Sequence, residues 1–208
     1  MDQTNEPVKF RITVSARHLH LTQDTVDILF GKGHVIEPDG PGGWQYLSTT
    51  RATVVGPRSR FERVAVMGPC RDFDQFELSM TDARTLGIPA ALRMSGDIED
   101  TPGIKIIGTV GEVTLNKGAI VAKRHIHMGA AMAESYNVED GDLVLLRIDG
   151  EERSLIFDDT VARTDGPPNG KGIVHIDTDE GNAAGVGKET YGYIVGRSVD
   201  FHGTLSLR

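Results

Sequence analysis

The sequence predicts a mainly β fold with short α-helices, built as two repeated domains. The chain of 208 residues holds 25 glycines and only 6% aromatic residues, which favours short strands and tight turns over a helical bundle. Short alternating or apolar runs recur between turn signals. An Arg-His-apolar-His unit occurs twice, as Arg17-His18-Leu19-His20 and Arg124-His125-Ile126-His127, and this repetition divides the chain into domains expected at 1–110 and 111–208.

Phe10, Ile12, Val14 and Ala16 alternate with Arg11, Thr13, Ser15 and Arg17, so 10–17 reads as a half-buried strand whose inward face runs on to His18 and His20. Thr22 can cap a helix through about Phe30, with Val26, Leu29 and Phe30 on its apolar side and Gly31 as its stop. Residues 34–43 read as loop, with Trp44 as its anchor. Strands at 52–55 and 61–67 flank the polar turn Gly56-Pro57-Arg58-Ser59-Arg60. A third strand is expected over 71–79; if regular, it puts Arg71, Phe73, Gln75 and Glu77 on one face. A short helix over 81–86 is closed by Gly87.

Residues 88–115 carry turn chemistry at Ser95-Gly96-Asp97 and Thr101-Pro102-Gly103, and the domain boundary is placed there or at its end. Residues 120–124 begin the second half, followed by a helix over 130–136. A hairpin of 143–148 and 153–157 turns at Asp149-Gly150, a pair suited to positive φ. The loop Gly166-Pro167-Pro168-Asn169-Gly170 precedes a strand over 172–176, which leads into Asp177-Thr178-Asp179-Glu180, a helix start capped by Thr178.

The net charge of −8 argues against general nucleic-acid binding, which needs a basic surface. Cys70 is the single cysteine, so an intrachain disulfide is excluded and a reducing compartment is expected. No apolar run approaches the length of a membrane span, and residues 1–10 lack the pattern of a secretory signal. A soluble, cytoplasmic protein is expected.

In an extended backbone, residues two apart share a face, so each His-x-His pair can offer two imidazoles to one cation. The repeat reaches further. Laying Glu77-Leu78-Ser79-Met80-Thr81-Asp82 over His175-Ile176-Asp177-Thr178-Asp179-Glu180 puts Gly87 on Gly185 and makes Glu77 and His175 equivalent. Each half then supplies three ligand-type residues: His18, His20 and Glu77 in one, His125, His127 and His175 in the other. Three protein ligands with an open position is the pattern of catalytic zinc. Arg71 follows the Gly68-Pro69 turn, which would hold it in place beside Glu77.

These residues resemble a known family. Ser15 to Leu21, Gly68-Pro69-Cys70-Arg71 with Glu77 six residues on, Ser95-Gly96-Asp97 through Ile104, Ala122 to Met128, and His175 to Glu180 together resemble the PduL-type phosphotransacylases, or phosphate propanoyltransferases, from about Val14 to Gly185. The resemblance implies two β-barrel-like domains capped by short helices and a homodimer. It implies reversible conversion of a short-chain acyl-CoA and phosphate to an acyl phosphate and CoA. Carried over, His18, His20 and Glu77 would bind one zinc, His125, His127 and His175 a second, and Arg71 the phosphate. Ser15, Arg58 and Asn182 fall where the family contacts CoA. Ala65, Asp72, Phe73 and Asp74 depart from the family pattern, which bears on acyl preference and CoA affinity. Many relatives carry an N-terminal helix that directs them into bacterial microcompartments; residues 1–9 are mostly polar, so a free cytoplasmic form, or one packaged by another route, is expected.

Two other functions fit the same residues. A dinuclear hydrolase of thioesters or phosphoesters would use the metals and the arginine for attack by water. A non-catalytic metal-binding scaffold of a microcompartment would have closed coordination spheres and no turnover.

Overall fold

The structure, a computed structural model, describes residues 8–41, 43, 45–166 and 172–198. Trp44 and most of the 166–170 loop lie outside the described residues. In chain order the elements are β1 (Phe10–Ser15), β2 (His18–His20), α1 (Gln23–Phe30), β3 (Tyr46–Val55), β4 (Arg60–Gly68), β5 (Gln75–Glu77), α2 (Met80–Leu86), β6 (Leu92–Arg93) and β7 (Ile104–Ile107). There follow β8 (Glu112–Leu115), β9 (Ala119–Ala122), β10 (His125–His127), α3 (Ala130–Tyr136), β11 (Leu143–Asp149), β12 (Ser154–Arg163), β13 (Ile173–Asp177), α4 (Thr178–Ala184) and β14 (Tyr191–Arg197). The fold is mainly β with short helices, as expected. Among the described residues no helix is long and apolar enough to cross a membrane.

The chain forms two compact units, one of residues 16–122 and one that joins the first strand to residues from 123 onward. These bounds differ from the expected 1–110 and 111–208, and the reason is strand pairing. β1 pairs in parallel with β13 and antiparallel with β14, so it belongs to the second half. β9 pairs in parallel with β5 and β6, so it stays with the first. The expected single strand running from Phe10 through His20 is therefore two strands, β1 and β2, in different units.

Unit 16–122 is an eight-stranded sheet of order β6-β9-β5-β2-β4-β3-β7-β8; the other is a closed barrel of order β1-β13-β10-β12-β11-β14. Each unit has its own apolar core. Leu19, Val54, Val66, Phe76, Leu86 and Ile106 fill the first, and Phe10, Ile126, Val144, Leu146, Ile148 and Val174 the second.

The duplication is carried by structure as well as by motif. β2 lies between β4, its parallel neighbour, and β5, its antiparallel one. β10 lies in the same way between β12 and β13. Arg63 and Asp159, with φ of 58° and 53°, sit within the register shifts of the β3–β4 and β11–β12 pairs. α2 and α4 both end on a left-handed glycine, Gly87 at φ 78° and Gly185 at φ 64°.

Two local expectations are corrected. The β11–β12 turn does not use positive φ at Asp149 or Gly150; Gly150 is required because a Cβ there would lie 2.1 Å from the Ala184 carbonyl oxygen. α4 is capped by Asp177, not Thr178, in a capping box whose second member is Glu180.

Candidate functional site

Strand register assembles the first cluster. In the β2–β5 ladder His18 lies directly opposite Glu77, and His20 is two residues along on the same face. His18 Nε2 lies 3.1 Å from His20 Nε2 and 3.4 Å from Glu77 Oε2, and His20 Nε2 lies 3.6 Å from Glu77 Oε1. Two donors bound to one zinc at the tetrahedral angle stand ~3.3 Å apart, so these separations fit a shared cation. His18 Nδ1 donates to the Ala16 carbonyl at 2.8 Å, which leaves the Nε2 lone pair turned toward the cluster. His20 is only 3% exposed. Burial, then the charges of His18 and Arg71, push its imidazole from 6.5 down to about 2, so it stays in the neutral form that ligates.

The second cluster repeats this register. His125 lies opposite His175 in the β10–β13 ladder, and His127 is two residues on. The three rings pack together: His125 stacks on His175 with centroids 5.2 Å apart, and His127 stands edge-on to both, at 4.9 Å and 5.4 Å. His125 Nδ1 donates to the Lys123 carbonyl at 2.8 Å, matching His18 and Ala16. His127 Nδ1 instead meets Asp165 Oδ1 at 2.6 Å. Burial alone would raise the Asp165 carboxyl, but its bond to His127 and the charges of His127 and Arg163 outweigh that and hold it below its ordinary value.

Arg71 reaches the first cluster by a different route from the one expected. The third strand spans only Gln75–Glu77, so Arg71 sits in a turn rather than on a strand face. The turn is tied to the segment that follows β2. Arg71 N–H donates to the Leu21 carbonyl at 2.9 Å, and Asp74 accepts from Thr22 N–H at 2.7 Å and from the Thr25 hydroxyl at 2.6 Å. The guanidinium donates to Ser95 Oγ at 3.1 Å and lies over the Phe73 ring. Asp74 and Phe73 both buttress the turn that carries Arg71.

Gln75 and Ser95 complete the cluster and were assigned no role from sequence. Gln75 is fully buried; its amide nitrogen donates to Glu77 Oε1 at 2.6 Å and to Ser95 Oγ at 2.9 Å, and its oxygen accepts from Gly96 N–H at 2.8 Å. Ser95 Oγ donates to Glu77 Oε1 at 2.9 Å. One hydroxyl thus links the Glu77 carboxylate to the Arg71 guanidinium. The sequence signals were the i, i+2 spacing of Gln75 and Glu77 and the Ser95-Gly96-Asp97 turn, neither of which names a partner.

An arginine beside each His pair pins it to a helix later in the chain, the one that follows Glu77 or His175. Arg17 makes a bidentate bond to Asp82 on α2, at 2.9 and 2.7 Å, and stacks 4.0 Å from the Phe61 ring centroid. Arg124 bonds Glu180 on α4 and stacks over Phe157 at 5.0 Å. Burial pushes the Glu180 carboxyl up, and the charge of Arg124 opposes the shift.

The remaining candidates are spread along the fold. Ser15 ends β1, in register with Asp177 at the end of β13, and Asn182 is exposed on α4. Arg58 is exposed in the β3–β4 turn, its N–H bonded to the Leu86 carbonyl and its side chain covering Gly87.

Residues 11–187 match the family model described as phosphate propanoyltransferase. The chain is 44% identical over 188 residues to the phosphate propanoyltransferase of Clostridioides difficile, covering 88% of each. It is 44% identical over 188 residues to that of Listeria monocytogenes, covering 88% of this chain and 86% of the relative. With that of Thermotoga maritima it shares 43% over 188 residues, 88% of each.

Proposed function

The chain belongs to the phosphate propanoyltransferase family of acyltransferases, and on that premise we propose that it moves a short acyl group, propanoyl or acetyl, between CoA and phosphate with the help of two bound metal ions. The observation that carries this reading is the donor geometry of His18, His20 and Glu77, three groups spaced as ligands of one cation beside a guanidinium.

A phosphate oxygen attacks the thioester carbonyl carbon, the C–O bond forms, the C–S bond breaks, and the CoA sulfur leaves with the proton that phosphate gives up. His18, His20 and Glu77 would hold one zinc, and His125, His127 and His175 a second. When bound, such ions polarise the carbonyl and neutralise phosphate charge. Arg71 would fork onto two phosphate oxygens, and its bond to Ser95 fixes the plane of the fork before phosphate arrives. Ser15, Arg58 and Asn182 would contact CoA.

Direct transfer, without an acyl-enzyme, is supported by the state of Cys70. Burial, then the negative charges of Asp27 and Asp74, raise its thiol above the ordinary 9.0, and it leans on Gln23 Oε1 at 3.4 Å. A thiol so raised is a poor nucleophile at neutral pH. A homodimer free in the cytoplasm completes the proposal.

The deciding experiment measures CoA release from propanoyl-CoA and acetyl-CoA, with and without phosphate, on protein whose metal content has been determined. Release strictly dependent on phosphate, with acyl phosphate formed in equal amount, is expected. Release without phosphate would make the protein a thioester hydrolase. No release from metal-loaded protein would leave the scaffold function. Labelled CoA should not exchange into acyl-CoA unless phosphate is present, and exchange in its absence would demand an acyl-enzyme.

A further inference from the structure

Asp165 carries no role in the reaction as described, yet its carboxylate is built into the second histidine cluster. β10 and β12 run parallel with His127 beside Arg163, so two residues further on the chain reaches the outer edge of the His127 ring. The turn is fixed on both sides. Met128 N–H donates to the Arg163 carbonyl at 2.8 Å, and Gly166 N–H donates back to the Met128 carbonyl at 3.1 Å. A Cβ at Gly166 would lie within 2.9 Å of three Met128 backbone atoms, so glycine is what lets the turn close this tightly. Thr164 N–H is anchored at 2.8 Å to Asp140. Both Asp165 oxygens are engaged, Oδ1 with His127 Nδ1 at 2.6 Å and Oδ2 with Arg163 Nη2 at 2.6 Å.

A carboxylate on the far nitrogen of a ligating imidazole does two things. It fixes the tautomer and the ring plane, and it makes the ligating nitrogen a stronger donor than a neutral carbonyl partner would. His18 and His125 each meet a backbone carbonyl at that position. We propose that Asp165 is a positioning residue for metal at the His125/His127/His175 cluster, tightening that site through His127, with Arg163 holding the carboxylate in place. This rests on the reading of those three histidines as metal ligands.

The test titrates the metal-free full chain with zinc against a chromogenic chelator, for the wild type, Asp165→Asn, Asp165→Ala and His175→Ala. The wild type should take up two ions per chain. His175→Ala should lose one of them. Asp165→Ala should weaken one ion about 10- to 100-fold and leave the other unchanged. Asp165→Asn, which keeps a neutral acceptor, should fall between. Thermal midpoints of the metal-free proteins serve as the control, because a purely structural role would move those and not the affinity of a single site. Unchanged affinity for both ions in the two Asp165 variants, with His175→Ala losing one, overturns the role of Asp165 alone. Full metal uptake by His175→Ala overturns the ligand reading, and the inference with it.

Discussion

His20 shows how burial selects a chemical form. The folded state keeps its imidazole neutral down to about pH 2, whereas the unfolded chain protonates it near the ordinary 6.5. Between those values the unfolded state binds the extra proton, so the stability His20 contributes is full above pH 6.5 and drains as the pH falls toward 2. The urea midpoint of metal-free protein should therefore fall from pH 7 to pH 5, and His20→Gln should flatten that slope; equal slopes would contradict the neutral assignment. Arg71→Ala should raise the KM for phosphate and leave the KM for acyl-CoA nearly unchanged, with Arg71→Lys intermediate because an ammonium lacks the fork. Gln75→Leu takes one donor from the Glu77 carboxylate, which keeps Ser95, and the acceptor from the Gly96 N–H; a loss of about 1–3 kcal/mol in unfolding free energy is expected, read by chemical denaturation. At this scale the sequence was informative where residues repeat. His18, His20 and Glu77 share a face because β spacing puts them there, and the repeat pointed to His175 as the counterpart of Glu77. Asp165, Gln75 and Ser95 were silent because their partners arrive through a parallel pairing or a turn far along the chain.

Among the elements, the helices that follow Glu77 and His175 hold the site strands in place. α2 and α4 each receive an arginine from the residue just before a His pair, sandwiched between a carboxylate and a phenyl ring. Helix boundaries were legible from caps and glycine stops: Thr22 and Gly31 bound α1, and Gly87 and Gly185 close α2 and α4. The expected third strand over 71–79 was too long, because Asp74 turns from the ladder to bond the start of α1. Asp177→Ala removes the side-chain half of the α4 capping box, leaving Glu180 bonded to the backbone N–H of residue 177, and should cost about 1 kcal/mol, a fall of roughly 2–4 °C in thermal midpoint. Gly150→Ala should cost about 1–3 kcal/mol, since its methyl would meet the Ala184 carbonyl; an unchanged midpoint would show that the β11–β12 turn can back away from α4.

For the molecule as a whole, the duplication was visible in the chain but its partition was not. Periodicity reports which residues alternate; it does not report which sheet receives a strand. β1 and β9 each precede a histidine pair in sequence and pair in space with the other half's β13 or β5. A fragment of residues 16–122 keeps every strand of its sheet, whereas a fragment ending at 110 lacks β8 and β9 and leaves edges of β7 and β5 bare. The longer fragment should be the more protected of the two in amide exchange, and equal protection would mean that β8 and β9 contribute little to the sheet.

That loan of strands has a consequence for how such a chain could arise. A solitary repeat, cut free, would carry a leading segment with no place in its own sheet and an edge awaiting one. Two solitary repeats could satisfy each other only by trading those segments. Fusing them end to end preserves the trade inside one polypeptide, so each sheet is completed by a segment its own repeat does not supply.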